Sequence, residues 1–304
     1  MTPDSNTNQE VFIEVGDGHQ LYAQDWGFKD AKTPIINFHG GPGGGTNNGH
    51  KVIFDPSKHR VIFFDQRGSG RSLPYGSLQN NTTDDLVEDI NKIADHFKLD
   101  KFVLCGGSWG SALPLVYAIK HPKRVHSMVL RSIFTGSKFE TEWFEQGIFS
   151  SHYPEVWERL LERTPKAHHA NPAAYHYDKI KNGSAVEMLE SALAVEETEG
   201  RLIRIDDRFK PLDPANFDPN AVTIFVHYAS NNWFMPEDFI LNNAHKLTMP
   251  IQMVHGRYDM DCPPITAYKL DQKMPNSQLT WVISGHRAEH EMETAMRLIL
   301  QNIS

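Results

Sequence analysis

The chain has 304 residues, 39% of them apolar and 22% charged, with a formal net charge of −8. That length suffices for a large buried core, and the acidic balance argues against a nucleic-acid groove. No apolar run approaches the ~20 residues that span a bilayer, the polar first ten residues lack the basic start and apolar core of a secretory signal, and two cysteines make no disulfide scaffold, so a cytoplasmic protein with no membrane partner is expected.

Two alternating runs, Val11-Phe12-Ile13-Glu14-Val15 and Gln20-Leu21-Tyr22-Ala23-Gln24, flank Gly16-Asp17-Gly18 and predict an opening hairpin. A buried strand, Pro34-Ile35-Ile36-Asn37-Phe38, then runs into His39-Gly40-Gly41-Pro42-Gly43-Gly44-Gly45. This glycine run lacks the Gly-Lys-Ser/Thr ending of a phosphate loop and the spacing of a dinucleotide-binding turn. The next strand, Arg60-Val61-Ile62-Phe63-Phe64, ends in Asp65-Gln66-Arg67-Gly68-Ser69-Gly70-Arg71-Ser72. There Asp65 and the arginines are expected to brace a loop through charged hydrogen bonds. A helix is expected from Thr83, with Asp84 and Asp85 in its first turn and Leu86, Ile90, Ile93 and Phe97 on its apolar face.

Gly106-Gly107-Ser108-Trp109-Gly110 lies between the apolar run Phe102-Val103-Leu104-Cys105 and a helix-like run over 111–120. Strand, sharp turn and helix in that order are what a nucleophile elbow requires. A serine on so tight a turn takes a strained backbone, and side chains on its neighbours would collide with strand and helix. Ser108 Oγ would stand at the helix N-terminus, with the Trp109 N–H aimed at a developing oxyanion.

After a further strand, Ser127-Met128-Val129-Leu130, the texture changes. Residues 137–232 are rich in Glu, His, Pro and aromatics, with helical stretches expected at 142–149, 154–162 and 185–197, and a run at 221–227 that fits either strand or helix. We read a mostly helical cap at 137–237 between two parts of one core, 1–136 and 238–304. His168, His169 and His176 in the cap match no metal-ligand spacing and read as a solvated surface. The core resumes with Ile251-Gln252-Met253-Val254-His255 before Gly256-Arg257-Tyr258-Asp259. A last strand, Leu279-Thr280-Trp281-Val282-Ile283, precedes Ser284-Gly285-His286. Strands alternating with helices imply an α/β fold with a mostly parallel sheet covered on both faces.

Ser108, Asp259 and His286 each follow a strand, so all three can meet at the sheet's carboxyl edge. Serine is a weak nucleophile, so His286 would take its proton and later return it to the leaving group, while Asp259 fixes the imidazole tautomer. Asp261 and His290 are the rivals; Asp259 and His286 stand nearer their strands and are preferred. Cys262 reads as a packed thiol, because no G-x-C-x-G exists.

The motifs His39-Gly-Gly-Pro-Gly-Gly44, Asp65-Gln-Arg-Gly-Ser-Gly-Arg-Ser72, Gly106-Gly-Ser-Trp-Gly-Ser111 and Gly256-Arg-Tyr-Asp259 together resemble the proline iminopeptidases of the α/β-hydrolase fold. Arg131-Ser-Ile-Phe-Thr135 is similar to the family's stretch after the elbow helix. His-Gly-Gly after a strand resembles the loop carrying the second oxyanion N–H, assigned to Gly41 beside Trp109. The resemblance implies a metal-free serine mechanism without cofactor, releasing an N-terminal residue, usually proline, from a small peptide or amino-acid amide. It also implies two cap glutamates for the substrate ammonium and aromatics around its ring. Glu197 fits the first glutamate and Phe134 one of the aromatics. Phe225 stands where the second glutamate is expected, and Ala229 where another aromatic is. That departure predicts ammonium binding weaker by about 1–3 kcal/mol, altered proline specificity, and an alternative in an esterase or amidase that ignores the ammonium.

Overall fold

The computed structural model describes residues 4–206 and 209–303. The opening hairpin forms as expected, with β1 (Thr7–Gly16) and β2 (His19–Gly27) antiparallel and Phe12 opposite Tyr22. The other strands are β3 (Ile35–Phe38), β4 (Arg60–Phe64), β5 (Phe102–Ser108), β6 (Val125–Ile133), β7 (Ile251–Gly256) and β8 (Ser277–Val282). They form one sheet in the order β1-β2-β4-β3-β5-β6-β7-β8, parallel from β4 to β8.

Strand side chains alternate between two faces, and the two largest apolar clusters divide that way. Ile36, Phe38, Ile62, Phe64, Leu104 and Leu130 pack with α1 (Thr83–His96), α2 (Trp109–Lys120) and α9 (Pro264–Asp271). Ile35, Val61, Phe63, Val103, Cys105 and Val129 pack instead with Met292, Met296 and Leu300 of α10 (Glu291–Leu300). Helix α1 starts where its acids suggested, on a capping box in which the Asp85 N–H donates to Thr82 Oγ1 and the Thr82 N–H to Asp85 Oδ2.

Among the described residues, six α-helices are inserted between β6 and β7: α3 (Lys138–Glu145), α4 (Pro154–Glu162), α5 (Pro172–Asn182), α6 (Ala185–Leu202), α7 (Asn220–Ala229) and α8 (Phe239–Asn243). The ambiguous run at 221–227 is helical. It buries Val222, Ile224, Val226, Tyr228 and Ala229 against the main core on more than one side of the helix, so packing overrides the β-branched composition. Helix α5, which sequence reasoning did not anticipate, starts on Asn171, whose side chain accepts from the Ala174 N–H. Among the described residues no helix is long and apolar enough to cross a membrane.

Candidate active site

Ser108 occupies the junction of β5 and α2 with φ 60° and ψ −133°, a left-handed conformation that a non-glycine residue adopts only under constraint from its surroundings. Its glycine neighbours have the predicted steric reason. A Cβ on Gly106 would lie 2.1 Å from the Gly110 carbonyl oxygen, and one on Gly110 would lie 2.4 Å from that of Phe38. Trp109 opens the helix, so its N–H has no acceptor within α2 and remains available above the serine.

Asp259, after β7, meets His286, after β8: Nδ1 of the imidazole is 3.0 Å from Oδ2 and 3.2 Å from Oδ1. Asp259 is tied down further by the Asp261 and Cys262 N–H groups, which donate to its Oδ1. Burial alone would raise the Asp259 pKa, but His286 and these hydrogen bonds outweigh it and hold the carboxyl below its usual range. The Ser132 hydroxyl donates to the His286 carbonyl at 2.7 Å and fixes the histidine loop to β6. His255, at the end of β7, is a brace that the sequence reading missed. Its Nδ1 accepts from the Ile133 N–H and its Nε2 faces the Cys262 carbonyl, so one buried ring sets the height of the Asp259 loop. His290 is exposed at the N-cap of α10, away from this cluster.

The glycine loop after β3 is held by the motif after β4. The Gln66 N–H donates to His39 Nε2, and its side chain bonds the His39 carbonyl on one end and Trp109 Nε1 on the other. Gln66 thereby ties the loop bearing Gly41 to the elbow. Asp65 accepts from the Thr46 N–H and from the Arg71 N–H and Nε, and Arg67 forms a bidentate buried pair with Asp89 of α1. Both acidic and basic members of this motif brace the loop, as expected.

Two cavities share Ser108, Gly41, Glu199 and Phe225. The larger, about 580 Å³, is also lined by His286, Arg131 and Glu196. The smaller has about 60 Å³ of free space, room for about four waters. Its walls include Phe134, Phe144, Tyr177, Phe225 and Trp233, and Asp261 and Glu199 line it too. Trp233 stacks on Trp109 with centroids 5.7 Å apart and meets Phe134 edge-on at 4.7 Å. Its buried Nε1 has no hydrogen-bond partner among the described residues. Phe134 and Phe225 thus line the small cavity together with Trp233.

Glu197 is not. Its carboxylate bonds Arg163 at 2.6 Å and accepts from the Leu212 N–H, and it lines a separate cleft on the outside of the cap. The reason is helical phase: one residue turns the side chain about 100° around α6, whereas Glu196 and Glu199, three apart, share the face over Ser108. Burial and the Asp261 charge push Glu199 well above the usual carboxylate range, and burial beside Asp259 takes Asp261 to about 6. Among the described residues neither Glu196 nor Glu199 forms an ion pair.

Asp259, Cys262 and His286 place ligand-type atoms within 4.8 Å of one another. Burial, with Asp259 and Asp261 beside it, pushes the Cys262 thiol well up, which opposes the thiolate a metal would need. The donor set fits a packed thiol beside a Ser-His-Asp arrangement. The cap histidines do not converge: His168 is exposed, but His176 is buried between Thr164 and Ser191 and pushed down to about 4 by burial, a neutral structural residue rather than the solvated one expected.

Residues 33–288 match the alpha/beta hydrolase fold family. Over 292 residues the chain is 37% identical to the proline iminopeptidase of Xanthomonas citri, covering 94% of this chain and 93% of that one. It is 34% identical over 296 residues to the proline iminopeptidase of Arabidopsis thaliana, covering 95% and 78%. The chain belongs to the proline iminopeptidase family. Among solved structures, the proline iminopeptidase of Mycobacterium smegmatis superimposes with a TM-score of 0.66 at 19% identity over 96% of each chain. An esterase from Exiguobacterium antarcticum gives 0.67 at 19% identity over 96% and 98%. Backbone likeness thus settles the α/β-hydrolase fold of this family member and leaves substrate choice to its pocket.

Proposed function

We propose that the protein holds the free ammonium of a short peptide or amino-acid amide on Glu199 and Asp261, seats a small N-terminal side chain among Phe134, Phe225 and Trp233, and transfers the acyl group to Ser108. By family the protein is a serine aminopeptidase of the α/β-hydrolase fold, a hydrolase of the prolyl aminopeptidase type. In this reading His286 Nε2 takes the Ser108 proton during attack and returns it to the leaving amine, and Asp259 stabilises the transient imidazolium. The N–H groups of Gly41 and Trp109 receive the oxyanion. Water then repeats the sequence on the acyl-enzyme. The cap at 137–237 supplies the specificity pocket. Cytoplasmic residence belongs to the same reading, supported by two free buried thiols, Cys105 and Cys262.

The observation that carries the proposal is the pair of half-buried carboxylates, Glu199 and Asp261, that line an aromatic pocket together with Ser108. Neighbouring like charges raise each other's pKa, and a substrate ammonium relieves that repulsion. A chromogenic panel tests it: prolyl, alanyl and arginyl 4-nitroanilides, their N-acetyl forms, and 4-nitrophenyl acetate, with wild type, Ser108→Ala and Glu199→Gln. Among the amides, cleavage confined to free-amine substrates, abolished by the first substitution and depressed by the second, is expected, with the activated ester turned over slowly by wild type and not by Ser108→Ala. Equal cleavage of blocked and free substrates, insensitive to Glu199, sinks the ammonium site and leaves an esterase or amidase.

A further inference from the structure

We propose that Asp261 is a positioning residue that keeps His286 from acting as a base until a substrate ammonium arrives, an inference resting on the ammonium site described above. The decisive contact is between Asp261 Oδ2 and His286 Nε2, 3.5 Å apart. Nε2 is the nitrogen that must be bare to accept the Ser108 proton. A carboxylate beside it favours the protonated nitrogen, because Nε2–H can donate and a lone pair can only repel. The other nitrogen, Nδ1, already faces Asp259 at 3.0 Å. A ring held between two carboxylates is stabilised as imidazolium, which has no lone pair to offer.

The other titratable and charged groups around the pair come from several neighbouring elements. Glu196 and Glu199 of α6 and the Tyr177 hydroxyl of α5 face Asp261, the Cys262 thiol lies beside both aspartates, and Arg131 of β6 and His255 of β7 face the His286–Asp259 pair. Burial alone would lower His286, and Arg131 acts in the same direction. The charges of Asp259 and Asp261 outweigh both and leave its pKa raised. His255 is buried and pushed down, hence neutral.

Asp261 also lines the small cavity with Ser108 and Glu199, so an ammonium seated there touches the same carboxylate. Its positive charge replaces that of the imidazolium as the partner of Asp261. The Nε2 proton then leaves to bulk water, the N–H electron pair stays on Nε2 as the lone pair, and neutral imidazole faces Ser108. One positive charge enters and one proton departs, so the balance closes. Discrimination against blocked amines then falls on the chemical step as well as on binding.

Two measurements test this. The first is the pH profile of kcat/KM for 4-nitrophenyl acetate, which carries no ammonium, in wild type and Asp261→Asn. The acidic limb is expected to move down by about 1–3 pH units in the variant. Ester turnover at pH 6 should rise by about tenfold or more, while prolyl 4-nitroanilide turnover falls. An acidic limb that stays in place overturns the proposal. The second uses unaltered protein and guards against a variant that does not fold. Prolinol, an amine without a scissile bond, is added near neutral pH to protein labelled with 15N at histidine, and the His286 ring nitrogens are followed by NMR. Conversion of an imidazolium signature to neutral imidazole with a bare Nε2 supports the proposal, and a ring that keeps one protonation state throughout overturns it. Failure of the aminopeptidase reading shows separately, as wild-type cleavage of N-acetyl amides, because the ester profile needs no amine.

Discussion

Glu197 and Glu199 leave α6 on different sides: the first pairs with Arg163 at 2.6 Å on the outside of the cap, and the second lines the cavity of Ser108. Two neighbouring glutamates thereby separate structure from recognition. Glu199→Gln should lower kcat/KM for prolyl 4-nitroanilide by about 10–100-fold, the scale of one lost charge-assisted contact. Glu197→Gln should leave kinetics within about twofold and lower stability by no more than ~1 kcal/mol, because its arginine partner is half exposed. Steady-state kinetics and urea unfolding of both variants check the pair, and a reversed ranking would reassign the ammonium site.

The elbow glycines predict a stability effect with no chemistry in it. A Cβ at Gly110 falls 2.4 Å from one backbone carbonyl and 2.7 Å from the next, neither of which can swing aside. Gly110→Ala should therefore destabilise the fold by about 1–3 kcal/mol or more, the cost of overpacking a tight core. Gly18→Ala makes a useful contrast, because a Cβ there meets nothing within 4 Å and only its positive φ is strained. Thermal unfolding of the two variants should rank Gly110→Ala as clearly the worse.

The residues proposed to react could be placed from the sequence because each lies at a strand end, where the side chain's position follows from local chain geometry. Ser108 needs only its strand, its glycines and its helix, and Asp259 and His286 need only the strands before them. The cap is different. Whether Glu196, Glu197 or Glu199 faces the serine depends on how α6 is rolled against α4, α5 and α7, and that roll is set by contacts with segments distant in sequence. Trp233 was missed for a similar reason. It stands in a short turn with positive φ at Asn232, Trp233 and Phe234, and only the assembled pocket shows its ring stacked on Trp109. Asp261 was set aside as a rival for the Asp259 role, although it contacts the opposite nitrogen of the same ring.

A pH profile follows from the charges around His286. In the proposed mechanism the group must be neutral to accept the Ser108 proton, and its pKa lies above the usual 6.5 because Asp259 and Asp261 together outweigh burial. Activity should therefore be lost as pH falls through a value above 6.5, with the acidic limb of kcat/KM reporting the free enzyme. Asp259→Asn removes one of these charges and the acceptor for Nδ1–H. It should shift the limb to lower pH and cut kcat by about 10³–10⁴-fold through the wrong tautomer. A limb below pH 6 in wild type would mean that burial wins and that the carboxylates are protonated in the empty site.

The last prediction concerns the brace beneath the loop. Arg67 is buried, and its Nε and Nη2 bond both oxygens of Asp89 at 2.6 and 2.7 Å, fastening the segment after β4 to α1. Its Nη1 also donates to the Asn80 carbonyl at 2.5 Å. Arg67→Ala strands the Asp89 carboxylate in the interior, and breaking such a pair from one side costs about 3–5 kcal/mol. Arg67→Lys keeps the charge but not the planar fork, and should recover only part of that loss. Arg67 carries no chemistry in this arrangement. Its neighbour Gln66 holds Trp109 and the His39 carbonyl, so whatever fraction of Arg67→Lys remains folded should keep near-normal kcat. Unfolding curves with active-site titration by a fluorophosphonate separate the two effects. A kcat that drops with the fraction of labelled sites unchanged would move Arg67 from the scaffold into the catalytic machinery.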